Sequence, residues 1–100
     1  MSITDPSAPP GWLVVVDKPA EKQLDRLPPR DFTRVDAALV SMGTNPFGGD
    51  LERLTKHDRY SFRRRVGDYR ILFNVDTVAR RVRVGTVERR TTTTYRKRRR

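Results

Sequence analysis

Gly67-Asp68 constrains this chain more than any other pair of residues. It separates the run FRRRV, residues 62–66, from the run YRILFNV, residues 69–75. Two strand-like runs joined by Gly beside Asp form a β-hairpin, because glycine takes up the left-handed backbone of such a turn without steric cost. Strand alternation then sets Arg63 and Arg65 on one face of the first strand, and Arg70 lies just past the turn on the second. The only acid within this stretch is the turn residue Asp68. Three guanidiniums drawn together by so short a turn suit a phosphate, since each planar fork donates to two oxygens and stays charged.

The segments before the hairpin supply a sheet partner and a helical layer. Residues 1–10, rich in Ser, Pro and Asp, read as a flexible leader. Trp12 to Val16 is an apolar, β-branched run without polar alternation, the mark of a buried strand. Pro19 suits a helix start, Ala20, Leu24 and Leu27 keep helical spacing, and Pro28-Pro29 ends that helix. Asp31 is placed to cap a second helix with Phe32, Val35, Leu39 and Met42 as its apolar stripe and Gly43 at its C′ position. Asn45 to Gly49 is a loop, and Leu51 and Leu54 tack the next segment to the core. Strands follow at about Arg59–Val66, Tyr69–Val75 and Arg80–Val87. The expected fold is α+β in the order β-α-α-β-β-β: an antiparallel meander, with a helical hairpin packed on one face and the first strand in the same sheet. Residues 11–95 form a single domain and 96–100 a basic tail. Trp12, Phe32 and Phe73 are expected in the core, and Phe62 and Tyr69 under the hairpin, with the alternative that Tyr69 presents its ring to RNA.

Charge divides the chain. Residues 1–50 hold five Lys/Arg against seven Asp/Glu, and residues 51–100 hold seventeen against five, for a net charge of +10 over 100 residues. So uneven a distribution points to one surface for a polyanion. The chain has no cysteine and one histidine, which excludes a disulfide framework and a thiolate metal site; no metal and no small-molecule cofactor is expected. Its longest apolar run is too short to span a bilayer, and nothing resembles a signal peptide, so a soluble cytoplasmic protein is expected.

The element order, together with LDRLPPR (24–30), NPFGG (45–49), RVGDYRILF (65–73) and ERRTTTTYR (88–96), resembles the RelE/ParE toxin superfamily from about Trp12 to Arg96. The basic hairpin and the C-terminal Arg/Tyr pair are more similar to the RelE branch, ribosome-dependent messenger-RNA endonucleases held inactive by a cognate antitoxin. The resemblance implies catalytic roles for Arg63, Arg65, Arg70, Arg89 and Tyr95. Arg90 stands in for Arg89 if the register slips by one. Arg64, Arg90, Arg96 and Lys97 are expected to bind RNA. Two positions depart from the family pattern: Ser61 replaces a lysine, and Arg64 occupies a usually apolar position, from which a bulge would turn it outward. A ParE-like inhibitor of DNA gyrase and a catalytically weak relative that binds only RNA or antitoxin are the alternatives.

The reaction implied is attack of a ribose 2′-OH on the adjacent phosphate, leaving a 2′,3′-cyclic phosphate and a free 5′-OH. Arg65, Arg70 and Arg89 would stabilise the charge that builds on phosphate. Arginine is a poor base near neutrality, so proton transfer is not assigned by these residues alone. Tyr95 can stack on a base. His57 has a suitable intrinsic pKa but precedes the strand, and reads as a surface histidine.

Overall fold

The computed structural model describes residues 11–89. The hairpin forms where the Gly-Asp pair requires it: β3 (Phe62–Val66) and β4 (Tyr69–Asp76) are antiparallel, Val66 lies opposite Tyr69, and Gly67 takes a φ of 58°. Asp76 makes the second reversal, its Oδ1 accepting from the N–H groups of Val78 (3.1 Å) and Ala79 (3.0 Å). The chain returns as β5 (Arg81–Arg89), antiparallel to β4. β1 (Leu13–Val16) joins the far side of β5 in parallel, with Val14 beside Val82 and Val16 beside Val84.

One strand was not expected. β2 (Asp50–Arg53) pairs antiparallel with β3 at the opposite edge, so the sheet is mixed and five-stranded in the order β1-β5-β4-β3-β2. Its four residues, DLER, offer a single large apolar side chain, too little alternation to read as a strand. β3 in turn begins at Phe62, three residues later than Arg59.

α1 (Lys18–Asp25) and α2 (Pro29–Met42) cover one face of the sheet. α2 begins earlier than expected: Pro28 is its N-cap, Pro29 opens the first turn, and Asp31 lies within that turn instead of capping it. The stripe it buries is Val35, Ala38, Leu39 and Met42, which leaves Phe32 exposed and out of the core. Gly43 is the C-cap in right-handed geometry, not a left-handed C′ residue. Below the helices, Ile71, Phe73, Val82 and Val84 are fully buried and join Ala20, Leu24, Val35, Leu39 and Met42 in one cluster. Each of these side chains larger than alanine stabilises the fold by about 1.5–3 kcal/mol. Phe62 stacks on Phe73 at 5.6 Å, Phe47 meets Phe62 and Trp12 edge-on, and Trp12 is half-buried with Arg80 4.5 Å above its ring. This apolar layer fixes the register, and thereby decides which side chains reach the other face.

Candidate nucleic-acid interface

Residues opposite one another on neighbouring strands share a face. Arg65 lies opposite Arg70 and Arg63 opposite Leu72 across the hairpin, so three of the hairpin's four arginines stand together on the face the helices leave open. The same register brings acids into the array, with Asp50 opposite Arg65, Glu52 opposite Arg63 and Glu88 opposite Arg70. Residues 62–75 hold no acid but Asp68, yet each of these three arginines has a carboxylate partner from a neighbouring strand. Arg63 pairs with Glu52; Arg65 Nε is 4.0 Å from Asp50 Oδ2, and Arg70 Nε is 3.3 Å from Glu88 Oε1. The carboxylate side chains are 40–69% exposed, and exposed pairs of this kind contribute about 0–1 kcal/mol, little enough for a bidentate phosphate to displace.

Arg70 differs from the other two. Its Nε is shielded from solvent, and although Glu88 is close, the pair lacks hydrogen-bond geometry. Among the described residues it is the one buried side-chain nitrogen or oxygen without a hydrogen bond.

Two other expected site residues, Arg64 and Arg89, separate from this trio. Arg64 points toward α2: it passes Gly49 and donates to Ser41 Oγ at 2.9 Å and to the Ala38 carbonyl at 3.4 Å. No bulge turns it outward, and its guanidinium ties β3 to the helix. Arg89 lies opposite Tyr69, on the helix-covered face. Tyr95, Arg90, Arg96 and Lys97 lie outside the described residues. Ser61 donates its N–H to Asn74 Oδ1 at 2.8 Å, joining β3 to β4 just beyond the ladder.

Tyr69 supports the hairpin tip from behind. It is buried, and its hydroxyl donates to Asp31 Oδ2 at 2.9 Å. Burial first, then the hydrogen bond and the negative charge of Asp31, push the phenol above its ordinary pKa of 10.0, while Arg89 pulls the other way.

Two further residues belong to the open face. The Tyr60 ring lies directly on Gly85, where any Cβ would collide with it. Gly85 sits in a break of the β4–β5 register, between Val84 opposite Phe73 and Thr86 opposite Leu72. His57 accepts at Nδ1 from the backbone N–H groups of Arg59 and Tyr60, both at 3.2 Å, and its ring is 5.5 Å from that of Tyr60. A glycine inside a strand signals close approach by another group, so Gly85 was the clue to Tyr60 in the sequence. Among the described residues no group of three or more His, Cys, Asp or Glu side chains could hold a metal ion, and no helix is long and apolar enough to cross a membrane.

Comparison with solved structures decides the fold. The archaeal RelE–RelB complex from Pyrococcus horikoshii OT3 contains a chain that matches 81% of this one over 97% of its own length, at 21% identity and a TM-score of 0.71. This chain has a RelE-like fold. The isolated E. coli RelE toxin matches at 17% identity and a TM-score of 0.68, covering 86% of this chain and 93% of its own. The RelBE2 toxin–antitoxin complex of Mycobacterium tuberculosis matches at 25% identity and 0.61, covering 80% and 92%. No model of a protein family matches the sequence, and no curated protein matches it. The RelE-like architecture is thus carried by a sequence far diverged from those of the solved toxins.

Proposed function

We propose that this chain is the toxin of a type II toxin–antitoxin pair, a cytoplasmic endonuclease that cleaves messenger RNA on the ribosome. The observation that carries the reading is the grouping of Arg63, Arg65 and Arg70, which the hairpin register sets side by side on the open face of a RelE-like fold. Arg65 and Arg70 grip the scissile phosphate, with Arg63 next along β3. Their charge stabilises the phosphorane-like transition state as the 2′-oxygen bonds to phosphorus, the 2′-OH proton leaves to a base, and the bond to the 5′-oxygen breaks. That oxygen collects a proton as the 5′-OH forms. Such a route needs no metal ion where guanidiniums supply the positive charge. Tyr95 and the basic residues after it add stacking and sequence-blind attraction.

Relatives of this fold have been solved bound to their antitoxins. The partner proposed here is a cognate antitoxin, acidic in part, that neutralises the arginine face. Purified protein should cleave message on programmed ribosomes, and Arg70→Ala should lose that activity while keeping its fold. Cleavage indifferent to Arg70→Ala would remove the proposed site.

One observation favours a second reading, a relative that binds RNA or antitoxin without cutting. Each arginine of the trio already faces a carboxylate. Message left intact on ribosomes, with RNA binding retained, would select it.

A further inference from the structure

Each arginine of the open face is the chain neighbour of a residue whose polar side chain is tied to α2 on the other side of the sheet. Arg63 and Arg65 flank Arg64, and Arg70 follows Tyr69. Arg64 Nη1 donates to Ser41 Oγ at 2.9 Å and to the Ala38 carbonyl at 3.4 Å, and the Tyr69 hydroxyl donates to Asp31 Oδ2 at 2.9 Å. Between these ties Arg34 lies against the turn, where a Cβ on Gly67 would crowd its guanidinium. Asp31, Arg34, Ala38 and Ser41 recur at intervals of three and four residues, so they form one line along α2. The helix thus holds the hairpin by hydrogen bonds at one point on each strand.

Polar ties do what apolar packing does not. Arg64 stands opposite Leu51 and Ile71 on the helix side of the sheet, where an unbranched apolar side chain would also pack. Apolar burial has no direction and lets a strand shift against the layer beneath it, whereas a guanidinium seated on two acceptors resists the shift. Successive residues of a strand are about 3.3 Å apart and point to opposite faces, so the tie at Arg64 sets where Arg63 and Arg65 emerge. Its charge is committed within the fold as well. The guanidinium lies at the C-terminal end of α2, the negative end of the helix dipole, and on the far side of the sheet from the trio.

We infer that Arg64 and Tyr69 are positioning residues, which align the arginine trio with the scissile phosphate from behind the sheet; the inference rests on the endonuclease reading above. The test is steady-state cleavage of message on programmed ribosomes, beside the salt dependence of binding to single-stranded RNA. Arg64→Met removes the donors and keeps the stem. It should lower kcat about ten-fold and leave KM within about two-fold, because alignment counts most in the transition state. Arg64→Lys, which keeps a donor, should recover part of the loss. Ser41→Ala, which removes the acceptor from outside the hairpin, and Tyr69→Phe, which removes only a hydroxyl, should show the same split to a smaller degree. The log–log salt slope of binding should stay unchanged in Arg64→Met, whereas Arg65→Met should reduce its magnitude by about 0.7. Wild-type kcat in Arg64→Met or in Tyr69→Phe would strike that residue from the role. A slope that falls by about 0.7 in Arg64→Met would make Arg64 a phosphate contact instead. Activity that falls only as far as the folded fraction, in Ser41→Ala and Tyr69→Phe as in Arg64→Met, would overturn the inference and leave the endonuclease reading standing. Message left intact by the wild type would overturn both.

Discussion

Along β4, Ile71 and Phe73 lie fully buried beneath the helices, while their neighbours Arg70 and Leu72 face the other way, opposite Arg65 and Arg63. The helix side packs aliphatic and aromatic groups against one another. The open side sets Arg63, Arg65 and Arg70 against Glu52, Asp50 and Glu88. One side carries the stability, and the other uses the rigidity this provides. A slip of one residue would bury the hairpin arginines and expose Ile71 and Phe73, so the apolar face holds the charged one in register.

The division can be tested from each side. Phe73→Ala, at a site with no exposure, should cost about 3–5 kcal/mol in urea unfolding; a loss below about 1 kcal/mol would mean the helix face is not the source of stability. Arg70→Ala should lower cleavage by about 10²–10³. It should change stability by less than about 1 kcal/mol, because the pair it breaks is partly exposed. If it unfolded the protein, the two faces would not be separable.

Tyr69→Phe should cost about 1 kcal/mol at neutral pH through loss of the bond to Asp31. The wild type carries a pH signature that this variant lacks. Because folding raises the phenol pKa, the stability it confers is complete below the unfolded value near 10.0 and is lost as pH rises through the folded one. Wild type should therefore weaken relative to Tyr69→Phe in alkaline unfolding curves, and parallel curves would refute the coupling. The smallest effect belongs to Glu52→Gln. It should leave stability within about 0.5 kcal/mol yet tighten RNA binding, by freeing Arg63 from its partner.

Much of this division was legible in the sequence. Gly67-Asp68 and Asp76 punctuate the meander, and the β-branched run after Trp12 places β1 in the sheet. The grouping of Arg63, Arg65 and Arg70 follows from a period of two about a two-residue turn. Their acidic partners were hidden because Asp50 and Glu52 act only through β2, a strand too short and too polar to announce itself. Phe32 keeps the spacing of the stripe but falls in the first turn of α2, where it is exposed and outside the core cluster; the spacing does not show where the sheet stops covering the helix. Arg64 occupies an inward position, which a charge can hold because Ser41 and the Ala38 carbonyl receive it; that tertiary contact leaves no local mark.

A side chain near the end of β5 has a consequence of its own. β1 accompanies only the first part of β5, pairing with Arg81 to Val84. Beyond it, Gln23 Oε1 accepts from the Val87 amide at 2.6 Å and from the Thr86 hydroxyl at 2.9 Å. An amide oxygen from α1 thus plays the part of a missing strand's carbonyl. That rung is filled within the molecule, and a second copy finds no free donor there on which to begin a continuous ladder.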